Sequence, residues 1–374
     1  MANILPAEML EKIFCLLPPR DLKTAVLVCR RWREVGEEPG LWAWAFLRLA
    51  REDLSLQEAL DTRRLQAVRR WRVEDLEEKL LQGLLELRGL KELEIKLDSR
   101  TSRMSLVDLG LLARVVSRME KVKIFPRSLG SKQATQAIFE AINDSAIIRK
   151  VKISGNNLSR VEAGLLARCV CKLEEAELSV TFITPQQAED IFISICQDGS
   201  KLRKLTIVNK SVSTVNSTLM AKAISKLEEV NLNYSFLNSQ QSQAIFSALN
   251  ECTNLKILEI GGNDLSAIEP NLIAKSITKL KEVRLNYTSL TSQQAEAIFT
   301  AINGGESKLQ KLDLGGNLLA SVEPYILARA VARLEVGLYN TSLTSLQTVA
   351  VRGTEAINRV TKLVRHQLFS NKTQ

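Results

Sequence analysis

Any chemistry in this chain has to be done with carboxylates, lysines and thiols, because its 374 residues contain one histidine, His366, in a basic C-terminal stretch. That leaves no Ser/His/Asp or Cys/His nucleophile machinery and no histidine-based metal site. Two carboxylate pairs, Glu92/Glu94 and Glu175/Glu177, have the residue types for acid–base work. Both pairs fall on runs of strand period and should face an open surface, where water is not excluded. The six cysteines are scattered. Only Cys169 and Cys171 stand close, and a one-residue gap without a nearby histidine is a poor metal signature. Reduced, buried thiols of a cytosolic or nuclear protein are the expectation. The pairs Gly261-Gly262 and Gly315-Gly316 read as turn glycines, with no phosphate-loop pattern around them. No catalytic, cofactor-binding or metal-binding residue emerges, and the chain reads as a recognition protein rather than an enzyme.

Recognition chemistry is concentrated in a block of lysines. Alternate residues of a strand share a side, which puts Lys121 and Lys123 on one strand's open face and Lys150 and Lys152 on the next. Same-side residues lie roughly 6.5–7 Å apart along a strand and neighbouring strands about 4.8 Å apart, so four ammonium groups share one small patch. Like charges opposite each other destabilise a sheet. Two readings stand side by side. In one, Lys121, Lys123, Lys150 and Lys152, with Glu175 and Glu177 beside them, bind an acidic or phosphorylated segment of a protein substrate. In the other, the block is a solvated face whose acidic neighbours balance it. Nucleic acid is disfavoured, since acidic pairs flank the lysines on both sides and Phe125 is the one stacking aromatic among them. The net charge of +9 lies downstream of residue 89, because residues 1–89 carry as many acids as bases.

The elements that position these residues are repeated. The pattern L-x-x-L-x-L runs from Leu90/Leu93/Ile95 through Met119/Val122/Ile124, Ile148/Val151/Ile153 and Leu173/Ala176/Leu178 to Leu309/Leu312/Leu314, with successive starts 25–29 residues apart. Long and short repeats alternate over most of the array. Such periods belong to leucine-rich repeats, each a strand plus a helix. Thr184…Gln187, Asn238…Gln241 and Thr291…Gln294 fit capping boxes for the long-repeat helices, with Pro185 at a first helical position; Ser159…Glu162 and Ser266…Glu269 suggest the same device in the short ones. Asn156, Asn263 and Asn317 occupy the turn after the strand, where an amide can satisfy loop backbone groups. Two alternating helical repeat types resemble the ribonuclease-inhibitor-like subclass, which implies an α/β solenoid curved into an arc, strands concave and helices convex. Near the end, Leu334 reaches Leu343 in one step fewer than Leu280 reaches Leu290; a one-residue loss inverts side-chain facing along a strand, so an imperfect edge strand is expected there. Residues 43–64 read as helical. Beyond them, Val68, Trp71 and Val73 suggest a strand, and Leu76, Leu80, Leu81, Leu84 and Leu87 a helix stripe.

Ahead of the repeats, residues 5–42 hold three short helical pieces. Met9, Leu10, Ile13, Phe14 and Leu17 recur at helical spacing; Pro18-Pro19 stop that helix; Asp21 can cap a second, with Leu22, Val26 and Leu27; a third runs from Val28 through Trp32 to Gly36. A unit so small has more apolar side chains than it can bury, and the surplus should remain as an exposed binding patch. Leu5-Pro6, Glu8, Ile13, Leu17-Pro18, Leu22, Val28-Cys29, Trp32 and Leu41-Trp42 stand in the order of the F-box pattern, and the segment resembles the F-box family. The resemblance implies a substrate receptor of Skp–cullin–F-box ubiquitin ligases. In that reading Leu5, Pro6, Glu8, Ile13, Leu17, Leu22, Val28, Cys29, Trp32, Leu41 and Trp42 form or support the surface for a Skp-type adaptor, and through it for cullin. The alternative is a stand-alone repeat protein, inhibitor or scaffold, with this segment as its cap. The expected division is an all-α F-box at 1–50, a helical linker and capping unit at 51–89, repeats at 90–345, and a capping helix with a basic tail at 346–374. With 45% hydrophobic and 25% charged residues, no apolar run near the roughly 18–20 residues of a membrane span and no signal-peptide pattern, neither membrane nor cofactor is expected, and the location expected is cytoplasmic and/or nuclear.

Overall fold

The structure, a computed structural model, describes residues 5–14, 17, 21, 24–36, 46–49, 69–73, 78–96, 108–129 and 132–354. Cys15, Leu22, Leu41, Trp42 and the basic tail with His366 lie outside these residues. The chain divides into two compact units, Met1–Gln187 and Ala188–Gln374.

In the first unit, helices Ala7–Phe14 and Arg30–Gly36 precede strands β1 (Phe46–Leu49), β2 (Arg70–Val73), β3 (Glu92–Ile95), β4 (Lys121–Ile124), β5 (Lys150–Ser154) and β6 (Glu175–Ser179). Neighbours in the chain pair in parallel, in order. From β2 onward a helix returns the chain between successive strands: Glu78–Glu86, Leu109–Ser117, Lys132–Asp144 and Ala163–Lys172. The β2 strand and the helix after it follow the expected pattern, with Trp71, Val73, Leu81, Leu84 and Leu87 in the core. Residues 46–49 do not follow it. They were expected in a helix and instead pair with β2, Phe46 opposite Arg70 and Leu49 opposite Val73. A short apolar run such as Phe-Leu-Arg-Leu fits either period, and β2 offers backbone donors and acceptors that would otherwise go unpaired.

The second unit repeats the scheme with β7 (Lys204–Val208), β8 (Glu229–Asn231), β9 (Ile257–Glu259), β10 (Glu282–Arg284), β11 (Lys311–Asp313) and β12 (Glu335–Gly337), joined by helices Ser217–Ser225, Ser239–Leu249, Pro270–Ile277, Ser292–Asn303 and Pro324–Arg333. The helix Pro185–Cys196 starts in the first unit and runs into the second. Residues 345–354 are helical. The last strand is an imperfect edge, as expected, three residues long with Val336 only half-buried, yet its facing is not inverted: β12 keeps register, Leu312 opposite Val336. The missing residue is absorbed before the strand, where Leu334 ends the preceding helix in an extended conformation and leads directly into Glu335.

Every leucine-type position of the nine patterned repeats is buried, from Leu90, Leu93 and Ile95 to Leu309, Leu312 and Leu314. The capping boxes form as expected in the long repeats. At Thr291 and Gln294 the backbone of each meets the side chain of the other, at 2.8 and 3.3 Å, and Asn238/Gln241 and Thr184/Gln187 do the same. A fourth box, Thr344/Gln347, was not anticipated. Each box glutamine also donates its amide to two carbonyls of the preceding repeat: Gln294 to Leu265 and Ile268 at 2.8 and 2.6 Å, Gln187 to Leu158 and Val161, both at 2.7 Å. The cap therefore doubles as a stitch between repeats. In the short repeats the expected Ser-x-x-Glu boxes are absent. Glu269 is itself the N-cap, accepting from the Asn271 and Leu272 amides, and Glu162 caps by position without a side-chain bond. Ser159 and Ser266 turn instead to Asn157 and Asp264, whose side chains close the preceding turn. The turn asparagines act as expected. Buried Asn317 donates to the carbonyls of Leu285 and Leu314 and accepts from the Thr288 and Leu290 amides.

Candidate functional site

The N-terminal helices fill their interior with Leu10, Phe14, Ala25 and Val26. Trp32 sets its ring edge-on to Phe14 at 5.3 Å between centroids. Buried Gly36 ends its helix against Val26, where a β-carbon would collide. Among the described residues outside that core, Leu5, Met9, Ile13, Leu27 and Val28 are exposed, at 37, 53, 42, 73 and 55%. This is the surplus of apolar surface expected from the composition of the segment. Pro6 and Glu8 are exposed beside it, while Leu17, Cys29 and Trp32 are half-buried. The segment thus divides into exposed side chains and half-buried ones, and Trp32, packed on Phe14, is among the latter.

On the open face of the first sheet, Lys121 stands opposite Lys150 and Lys123 opposite Lys152. Their ammonium groups do not face each other unrelieved. Lys121 and Lys123 reach Glu92 and Glu94 on β3, both at 2.8 Å, and Lys150 and Lys152 reach Glu175 and Glu177 on β6 at 2.8 and 2.7 Å. Arg70 and Arg72 on β2 hold the same Glu92 and Glu94 from the other side, and the Arg72 guanidinium lies over the Phe125 ring at 5.2 Å. Burial alone would raise the Glu92 carboxyl, but hydrogen bonds from Lys121 and Arg70 outweigh it and hold the group below the usual carboxylate range. Repulsion within the lysine block is therefore met inside the protein. Cations outnumber carboxylates at the strand starts, around a cavity of about 590 Å³ lined by Arg69, Arg70, Lys91, Lys121, Arg149 and Lys150 against Glu92 and Glu120, although Lys91 and Arg149 are themselves paired with Glu120 and Glu174 at 2.6 and 2.9 Å.

The open face of the second unit has the opposite balance. Glu229, Glu259, Glu282, Asp313 and Glu335 share it with Lys204, Arg284 and Lys311. Lys204 pairs with Glu229 at 2.8 Å, and Arg284 bridges Glu259 and Glu282 at 2.7 and 2.9 Å. At the strand starts Arg203 and Lys256 both bond Glu228 and pull its carboxyl down to about 2. Beyond the strand ends lies a feature that sequence reasoning missed: exposed Tyr234, Phe236, Tyr287 and Tyr339. Tyr234, Phe236 and Tyr287 sit on backbone with φ of 52, 55 and 55°, a conformation bulky residues adopt rarely. Tyr234 lies against Gly262 and Tyr287 against Gly316, where any β-carbon would strike the ring. The glycine pairs seen in the sequence were the available signal. They make room for the tyrosines of the preceding long repeat as well as forming turns.

Among the described residues no cysteine forms a disulfide, Cys169 is pushed up to about 12 by burial, and no group of side chains is arranged to hold a metal. No helix there is long and apolar enough to cross a membrane.

Parallel strands in chain order, each repeat returning through a helix, with an asparagine-closed turn and leucine-type core positions, define an α/β leucine-rich-repeat protein, solenoid-like in its repetition. Ahead of it, residues 2–48 match the family model described as F-box-like, the segment that carries the exposed apolar helices. Among solved structures, a leucine-rich repeat protein from Bacteroides thetaiotaomicron VPI-5482 is similar at a TM-score of 0.39 and 14% identity, over 75% of this chain and 35% of that one. The chain thus spans about a third of that protein's length. No curated protein matches the chain.

Proposed function

We propose that this protein is the substrate-receptor subunit of a Skp–cullin–F-box ubiquitin ligase. The observation that carries the reading is the exposed apolar set Leu5, Met9, Ile13, Leu27 and Val28 beside the buried Leu10, Phe14, Ala25 and Val26, within the F-box-like segment. That surface takes the Skp-type adaptor and, through it, cullin, while the repeats hold a protein substrate in the cytoplasm or nucleus. The protein transfers nothing itself. Its contribution is the raised effective concentration of substrate near a ubiquitin-conjugating enzyme. The cation-lined strand starts around Arg69, Lys121, Arg149 and Lys150 are the proposed seat for an acidic or phosphorylated segment of the substrate.

The test is capture of purified adaptor by the full chain. Ile13→Asp and the double variant Leu5→Ala/Pro6→Ala change exposed side chains, so they should melt like wild type and lose adaptor by tenfold or more, on the order of 1.4 kcal/mol or above. Wild-type capture by both variants would sink the reading and favour a stand-alone repeat inhibitor or scaffold. Separately, reversing Arg149 and Lys150 to Glu should abolish binding of a phosphorylated peptide and leave adaptor capture intact. Phosphopeptide binding that survives the reversal would remove the proposed seat.

A further inference from the structure

The tyrosine rim of the second unit is a built surface. Tyr287 and Tyr339 place their rings 6.4 Å apart at 59° to each other, a fixed notch rather than two mobile side chains. The Tyr339 hydroxyl donates to Asp313 Oδ2 at 3.0 Å, and the Asn340 amide donates to the Tyr287 hydroxyl at 2.8 Å. Asp313 is held in turn by the Gly315 amide at 3.0 Å. Tyr287, Ser289, Leu290, Gly316, Asn317 and Leu318 line an adjoining groove of about 320 Å³, with Leu318 exposed at its lip. Bulky residues at positive φ cost of order 1–3 kcal/mol each, and here that cost keeps aromatic rings at the surface.

Charge decides among the ligands that stack on aromatic faces. Five carboxylates against three cations on this unit's open strands, the cations all ion-paired there, leave a net negative face, which favours cations over nucleic acid and phosphorylated segments. A tyrosine hydroxyl that donates to a carboxylate also enriches its ring in electron density, which strengthens attraction for a cation over the ring face. The aliphatic stems of lysine and arginine bury along apolar surface while the charged head stays polar and wet, which fits a groove running from Leu318 to a tyrosine notch.

We propose that the rim formed by Tyr234, Tyr287, Tyr339 and Leu318 docks a basic linear segment of a partner protein. A lysine or arginine head lies over the Tyr287–Tyr339 notch, its stem lies along the groove, and Asp313 and the neighbouring carboxylates supply the complementary field. This site is separate from the lysine face of the first unit, and it stands whether or not the N-terminal helices engage an adaptor.

The experiment is fluorescence anisotropy of the full chain with short unstructured peptides of one length, lysine-rich, glutamine-rich and glutamate-rich. The lysine-rich peptide should bind, more weakly as salt is added, and the glutamate-rich one should not. Tyr287→Ala should weaken that binding about tenfold, a magnitude in the range of a desolvated cation–π contact, while Tyr287→Phe keeps the ring and loses little. Asp313→Asn keeps an oxygen as the acceptor for the Gly315 amide and turns its NH2 toward the Tyr339 hydroxyl, which can accept where it donated before; it removes the charge, and should weaken lysine-peptide binding without changing the melt. Equal binding of the three peptides, or wild-type affinity in both Tyr287→Ala and Asp313→Asn, would overturn the proposal. So would a neutral oligosaccharide that binds in a Tyr287-dependent way where the lysine peptide does not, which would assign the rim to carbohydrate.

Discussion

Gln294 shows how much one residue does in this fold. It closes the capping box with Thr291, is fully buried, and donates to two carbonyls of the preceding repeat. Truncation to alanine strands three backbone groups in the interior, so Gln294→Ala should cost about 2–4 kcal/mol in urea unfolding. Gln294→Glu keeps the box but aims a carboxylate at two carbonyl oxygens. Its deficit should be larger at neutral pH and shrink on acidification, as the protonated acid regains a donor. Glu228 gives a second residue-scale test, with the opposite sense. Arg203 and Lys256 lower its folded value from 4.5 to about 2, so its contribution is present above pH 4.5 and is lost as pH falls through about 2. Glu228→Gln should flatten the stability profile in that acid window, and an unchanged slope would show that these exposed pairs do not stabilise the fold.

At the scale of elements, the long-repeat and short-repeat helices begin differently. Glu269 accepts from the Asn271 and Leu272 amides at 3.0 and 2.6 Å, whereas Glu162 makes no side-chain cap bond. Both carboxylates sit at the positive end of a helix dipole. Glu269→Ala should therefore cost about 1 kcal/mol and Glu162→Ala about half of that or less, measured by denaturant midpoints. Equal costs would mean that the dipole rather than the direct bonds does the capping. The N-terminal helices are divided by face in the same spirit. Trp32 braces Phe14 from within, so Trp32→Ala should lower the melting temperature of the segment, while substitution of exposed Met9 or Ile13 should not.

At the scale of the molecule, the F-box-like segment, residues 2–48, and the parallel sheet share residues. The strand Phe46–Leu49 pairs with Arg70–Val73, so the end of that segment supplies the first strand of the sheet. Stability in a stacked array is roughly a sum over repeats and neighbour interfaces. A chain lacking residues 1–36 keeps β1 and should retain cooperative melting of the repeats. One lacking residues 1–50 removes a sheet strand, and the amides of Arg70–Val73 should exchange faster with solvent, with a lower melting midpoint. Identical exchange in both truncations would show that β1 contributes nothing to the sheet.

The sequence by itself determined whatever is periodic and local. The 25–29-residue spacing, the core positions, the long-repeat caps, the turn asparagines and the ordered F-box pattern could all be read because each depends on residues a few places apart. Tertiary structure decided which groups meet across repeats. Lys121 and Lys150 stand opposite each other, yet each bonds a carboxylate on the strand beyond, and that choice depends on register between strands separated by whole helices. The same holds for the glutamines that reach back a repeat, for the tyrosines seated against the next repeat's glycines, and for Phe46–Leu49, whose apolar run took its conformation from the open edge of β2. Hydrophobic period encodes which side of an element is buried; it does not encode which neighbour a buried or charged group will find there.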